Sequence, residues 1–343
     1  MSDLVLVTGA SGYLAGHVST ELLAHGYRVR GTIRSVARAQ AVADVLPGVE
    51  LVEADLGSDA GWDDAVRGCR FVVHTASPFP GSVPDHEDEL IRPAVDGTLR
   101  VLRAAAAHGI ERVVLTSSIA AVRVGHEDRV ATEADWSELA ACDAYEKSKT
   151  LAERAAWDFV TEHPELELAV MNPGMIIGPV LRPEYGTSVD GIRILLSGEM
   201  PGVPRLNFST VDVRDLAVAH RLGLELPQAA GNRYVLTGEQ VSFPEMAKAL
   251  ATRYRVATRT LPDWLIRLVA RFDANARIAA RYLGREEHLS AAKARRELGW
   301  AQRPLETTLL DTAESLIRFG IVEDPGAARG KPAPRTGAQP ASA

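Results

Sequence analysis

Cysteine is nearly absent from this chain: Cys69 and Cys142 are the only two in 343 residues. Two thiols cannot build the disulfide framework of a small secreted domain or a cysteine-based zinc site, so both read as free thiols in a reducing compartment. Charge of one sign is missing as well. Lys and Arg total 38 against 45 Asp and Glu, a net charge of -7, with no long block of either sign, which argues against nucleic acid as a partner. Long hydrophobic runs are missing too. Nothing approaches the roughly 18 to 20 apolar residues that span a bilayer, so no membrane association is expected. The first eight residues have no basic segment before their short apolar run, so no secretory leader is expected and the location expected is cytoplasmic. Nine histidines are scattered without forming a ligand pair with a carboxylate, so no metal site is expected.

What is present is an alternation. Leu4 to Thr8 is a short β-branched run, followed by glycines and an amphipathic stretch from Tyr13 to His25, which reads as strand, turn and helix. The pattern recurs with strands at 28–33, 49–53, 71–75, 112–116 and 168–171. Helices are expected at 36–45, 59–66, 84–108 and 143–162. Strands buried on both faces and alternating with helices predict an α/β fold, a doubly wound parallel sheet of the Rossmann type. After Gly178-Pro179 the alternation stops. We expect a nucleotide domain over 1–178, with 206–235 returning to it, and a smaller, mostly helical substrate lobe formed by 179–205 and 236–323. Residues 324–343, rich in Gly, Ala, Pro and Ser, are expected to be a disordered tail.

The turn after the first strand reads Thr8-Gly9-Ala10-Ser11-Gly12-Tyr13-Leu14-Ala15. Gly9 permits the tight turn. Gly12 lets a pyrophosphate approach backbone N–H groups at the positive end of the following helix, so Ser11, Tyr13 and Leu14 become cofactor neighbours. The residue ending the second strand selects the nucleotide. An NAD-preferring site carries an acid there for the ribose hydroxyls. Here it is Arg34, followed by Ser35, donors that suit a 2′-phosphate and so favour NADP(H). Asp55 and Leu56, after the third strand, fall where the adenine edge belongs.

Tyr145 and Lys149 lie four residues apart on an expected helix, hence on one face. An ammonium beside a phenol lowers its pKa from about 10 and makes it an acid/base group near neutral pH.

Together these stretches resemble the extended short-chain dehydrogenase/reductase family, in its branch of dihydroflavonol, cinnamoyl-CoA and related aldehyde and ketone reductases. The matching segments are Thr8-Gly9-x-x-Gly12, Val73-His74-Thr75-Ala76-Ser77-Pro78, Thr116-Ser117-Ser118, Tyr145-x-x-x-Lys149 and Asn172-Pro173-Gly174. They cover roughly residues 3 to 320. The resemblance implies that Ser118 hydrogen-bonds the substrate oxygen, Tyr145 donates its proton, and Lys149 binds the nicotinamide ribose. It also implies cofactor contacts at Thr75, Ala76, Ser77, Pro173 and Gly174, and a small-molecule carbonyl substrate reduced by hydride transfer from NADPH. Arg123 stands where plant dihydroflavonol reductases have Asn, which argues against a dihydroflavonol. Ala94-Val95-Asp96-Gly97-Thr98 departs from the epimerase pattern Asn-Val-x-Gly-Thr. The readings left open are an NAD-dependent hydroxysteroid dehydrogenase, a sugar-nucleotide epimerase or dehydratase, and a non-catalytic NADP-sensing protein. Oligomeric state is not legible.

Overall fold

Four consecutive buried residues, Leu4–Val7, form strand β1. Side chains alternate across a strand, so Val5 and Val7 feed one core while Leu4 and Leu6 feed another on the opposite face. The two-sided burial forces helices onto both faces. The structure is a computed structural model and describes residues 2–77, 86–272 and 274–327. Helix α1 (Tyr13–Ala24) follows β1, and then come β2 (Arg28–Ile33), α2 (Ala39–Ala43), β3 (Val49–Glu53), α3 (Trp62–Val66) and β4 (Phe71–His74). Next are α4 (Asp88–Ala107), β5 (Arg112–Thr116), α5 (Ala144–Glu162), β6 (Glu167–Pro173), β7 (Met175–Ile177), α6 (Asp190–Ser197) and β8 (Asn207–Asp212). The chain continues through α7 (Val213–Glu225), β9 (Asn232–Leu236), β10 (Gln240–Ser242), α8 (Phe243–Leu250) and α9 (Asp263–Val269). Helices α10 (Ala274–Tyr282), α11 (Ala292–Leu298) and α12 (Leu305–Arg318) follow.

Seven strands form one sheet in the order β3-β2-β1-β4-β5-β6-β9, and every pairing is parallel. This is the doubly wound sheet expected. Strand order reverses between β1 and β4, so a crevice opens there beyond the carboxyl ends of the strands. One face is covered by α1 and α7, with Leu14, Val18, Leu22 and Leu216 against the sheet. On the other face Trp62, Val101, Leu102 and Ala156 come from α3, α4 and α5.

Several expected elements are shorter than their sequence patterns. Residues 36–38 form a 3-10 turn ahead of α2. Helix α3 starts only at Trp62, because Gly61 precedes it at φ +86. The expected start of the long helix at 84 lies outside the described residues, as do Pro78 and most of the expected tail. Strand β8 does not enter the large sheet: it pairs with β7 and β10 in a separate three-stranded sheet. From the segment 206–235, it is α7 and most of β9 that sit with the seven-stranded sheet. A third core gathers Ile177, Ile192, Met246, Leu309 and Leu316 around the small sheet. No helix among the described residues is long and apolar enough to cross a membrane.

Candidate active site

The crevice at the strand ends is a cleft of about 590 Å³. Gly9, Ser11, Gly12, Tyr13 and Leu14 line it from the first turn, Arg34 from the end of β2, Asp55 and Leu56 from beyond β3, and Thr75, Ala76 and Ser77 from beyond β4. All eleven are residues expected from the sequence. Gly9 is at φ +70, and a Cβ there would sit 3.1 Å from that of Ala76, so only glycine fits both its conformation and its neighbour. Its N–H donates to Thr32 Oγ1 at 2.8 Å, and Gly12 N–H donates to the Gly9 carbonyl at 2.7 Å. That lock leaves the first amides of α1 without partners inside the helix, aimed as an anion site. Arg34 is exposed on the rim, and among the described residues it has no hydrogen-bonding or ion-pair partner. A dinucleotide carrying a 2′-phosphate fits this donor set. The pyrophosphate would meet the helix amides and the phosphate would meet Arg34.

Other expected residues stand differently. The Tyr13 hydroxyl donates to the Gly178 carbonyl at 2.8 Å, tying α1 to the chain beyond β7. Pro173 and Gly174 do not line the cleft. Gly174 is required by packing, since a Cβ there would lie 2.1 Å from the Ser209 carbonyl oxygen.

Helix α5 brings the tyrosine and lysine into place. Asp143 and Glu146 form a reciprocal capping box at its start, with bonds of 2.9 and 3.0 Å, so the first turn carrying Tyr145 is held rigidly. Ser118 follows the end of β5 and its hydroxyl hydrogen-bonds the Tyr145 phenol. Lys149 donates to Ser77 Oγ at 3.0 Å, joining the trio to the cleft, and its Nζ is 6.0 Å from the centre of the Tyr145 ring.

The pKa of Tyr145 corrects the expectation. Burial raises it, and this outweighs the lowering by the Ser118 hydrogen bond and the Arg123 charge. Lys149 is not what sets it. Burial lowers the lysine itself to about 8, with Glu153 acting in the opposite direction. The ammonium is thus poised near neutrality while the phenol stays protonated, which suits a proton donor.

Sequence reasoning missed the supports of this site. Thr8 stitches β1 to β4: its hydroxyl shares a hydrogen bond with His74 Nδ1 at 2.8 Å and accepts from Ala76 N–H at 3.0 Å. Arg123 is clamped between Glu146 at 2.8 Å and Glu287 at 3.0 Å. Thr8, His74 and Arg123 are visible in the sequence, but their pairings are not, because the partners are distant along the chain. Met175, Tyr185, Leu195 and Phe208 pack into the third core. Among the described residues no three His, Cys, Asp or Glu groups are gathered to hold a metal.

A parallel sheet with a glycine turn on its first strand, and a serine, tyrosine and lysine gathered beyond its fifth, defines a nucleotide-dependent oxidoreductase of the short-chain class. The chain belongs to the NAD dependent epimerase/dehydratase family, the extended group of that class, whose model matches residues 5–236. It is 36% identical over 331 residues to a cinnamoyl-CoA reductase of Medicago truncatula, covering 92% of this chain and 96% of the relative. A bifunctional dihydroflavonol 4-reductase/flavanone 4-reductase of Malus domestica is 34% identical over 269 residues, 74% of this chain and 77% of that one. Among solved structures, yeast methylglyoxal/isovaleraldehyde reductase complexed with NADPH matches at a TM-score of 0.76 and 26% identity, over 92% of this chain and 99% of the other.

Proposed function

We propose that this protein is an NADPH-dependent reductase that converts a small or medium, partly apolar aldehyde or ketone to its alcohol, using Ser118, Tyr145 and Lys149. The observation that carries this reading is the Ser118–Tyr145 hydrogen bond at a cleft whose nucleotide end bears Arg34 and no acid at that position. The NADPH-bound yeast reductase and the cinnamoyl-CoA reductase support the direction and the cofactor.

Bound NADPH supplies a hydride to the carbonyl carbon. The chain's own groups deal with the oxygen. Ser118 donates a hydrogen bond to it and stabilises the negative charge that develops. Tyr145, protonated at neutral pH, gives up its proton as the alkoxide forms. Lys149, anchored through Ser77, would hold the ribose with its charged ammonium.

The test is a panel of aldehydes and ketones assayed by loss of NADPH absorbance, with NADH run in parallel. Turnover of carbonyls with NADPH, abolished in Tyr145→Phe while NADPH binding persists, is the expected result. Retained turnover in Tyr145→Phe removes the tyrosine from the acid role. A strong preference for NADH favours a dehydrogenase or epimerase reading instead.

A further inference from the structure

Glu153 is a fully buried carboxylate inside the catalytic helix, and the mechanism above does not use it. Burying a charge is costly unless it is paired and hydrogen-bonded. Here it is. Ser117 Oγ donates to Glu153 Oε2 at 2.6 Å, Asn172 Nδ2 donates to the same oxygen at 2.7 Å, and Arg233 Nε lies 2.7 Å from Oε1. These partners come from the ends of β5 and β6 and from the edge strand β9. Asn172 Nδ2 also donates to the Ser118 carbonyl at 3.1 Å, so one amide group joins Glu153 to the backbone of the serine. On the helix, Glu153 lies one turn beyond Lys149 and therefore on the same face. The two line a single chamber of about 20 Å³ together with Ser77, Thr98, Thr116 and Ser117.

We propose that Glu153 is a positioning residue with two effects on the Ser118, Tyr145 and Lys149 set: its negative charge keeps Lys149 protonated, and its bond to Asn172 fixes Ser118. The proposal rests on the reading of those three residues given above. Packing around Lys149 leaves few rivals for the electrostatic part. Among the described residues, the titratable groups turned towards it are Tyr145 and Glu153 on its own helix and His74 on β4, which burial holds neutral with its pKa lowered to about 3. From α4 the chamber receives Ala94 and Thr98, and from the end of β5 Thr116 and Ser117, none of which carries charge. Arg233 spends its charge on Glu153, on the Asp135 carbonyl at 2.8 Å and on the face of Trp136 at 3.9 Å. Among the described residues, Glu153 is thus the one opposing influence on a lysine that burial has already lowered to about 8.

The experiment is the pH profile of kcat for carbonyl reduction in the wild type, Glu153→Gln and Glu153→Asp, with NADPH binding followed by fluorescence. Glutamine keeps the size and the acceptor but removes the charge. Lys149 should then lose its proton at lower pH, so the alkaline fall in kcat should move down by about one pH unit. Aspartate keeps the charge but draws it back by one methylene. Its alkaline limb should stay near that of the wild type while kcat drops about tenfold, because Asn172 and Ser118 lose their register. An unmoved limb in folded, NADPH-binding Glu153→Gln overturns the proposal, as does an equal shift in both variants. If Glu153→Gln alone does not fold, the pair Glu153→Gln with Arg233→Met removes both buried charges and carries the same measurement, with the same expected and overturning results. Tyr145→Phe separates the two readings. Activity retained there defeats the catalytic assignment, whereas a dead Tyr145→Phe with an unmoved limb in Glu153→Gln defeats only the role of Glu153.

Discussion

On the proposed reading, a single side chain at the end of β2 decides which nucleotide the cleft prefers. Arg34 is exposed on the rim and unpaired among the described residues, so its guanidinium is available for a bidentate contact with a phosphate. Arg34→Ala should raise KM for NADPH by roughly 10- to 100-fold, equivalent to about 1.4 to 2.8 kcal/mol, and change KM for NADH little. Parallel kinetics with the two nucleotides check this, and equal losses would remove Arg34 from phosphate recognition. At this scale the sequence was readable wherever function depends on neighbours along the chain. Tyr145 and Lys149 share a helix turn, Gly9 and Gly12 share a loop, and Ser118 follows a strand. It was unreadable where the environment is assembled from afar. The expectation that Lys149 lowers the tyrosine pKa followed from spacing alone, whereas in the fold burial raises it. Glu153 gave no signal because Ser117, Asn172 and Arg233 reach it from three separate strands.

Among the elements, α5 matters most because its first turn carries Tyr145, the proposed proton donor. Asp143 caps it through the Glu146 amide, and it also accepts from the Tyr282 hydroxyl at 2.8 Å. Loss of an N-cap costs about 1 kcal/mol. Asp143→Ala should therefore lower the denaturant midpoint modestly while reducing kcat more than it weakens NADPH binding, because fraying displaces Tyr145 but not the glycine turn. Thermal melts, kcat and NADPH titration on one preparation test the split. An unchanged kcat would show that the cap does not position the tyrosine. Strong patterns located strands β1 to β6 of the large sheet to within a residue or two, as at β2, β3 and β5. The weaker ones were misjudged for identifiable reasons. Gly61 at φ +86 delays α3. Strand β8 reads like another sheet strand, but which sheet it enters depends on β7 and β10, each only three residues long, and such short strands have almost no periodicity to detect.

For the whole molecule, acid stability follows from three buried histidines that each tie parts of the fold together. His17 Nε2 donates to the Pro179 carbonyl at 2.9 Å, linking α1 to the start of the lobe. His74 shares a hydrogen bond with Thr8 between β1 and β4, and His220 on α7 accepts from Thr116 at the end of β5 while donating from Nδ1 to the Leu216 carbonyl. Burial lowers His17 and His220 to about 4 and His74 to about 3. The unfolded chain, with ordinary histidines near 6.5, binds protons that the folded chain refuses. Stability from these residues is therefore complete above about pH 6.5 and is lost as pH falls towards 4. Between pH 6.5 and 4 each ring forfeits roughly 3 kcal/mol, so the three together fall within the 5–15 kcal/mol by which whole domains are stable. The urea midpoint should hold steady from pH 8 to 7, fall steeply below pH 6, and reach acid unfolding between pH 4 and 5. His220→Gln, which keeps a donor and an acceptor but cannot charge in this range, should flatten part of that slope. A midpoint that stays level between pH 7 and 4.5 would mean that these rings charge in the folded state without penalty, and that the packing around them is looser than their hydrogen bonds imply.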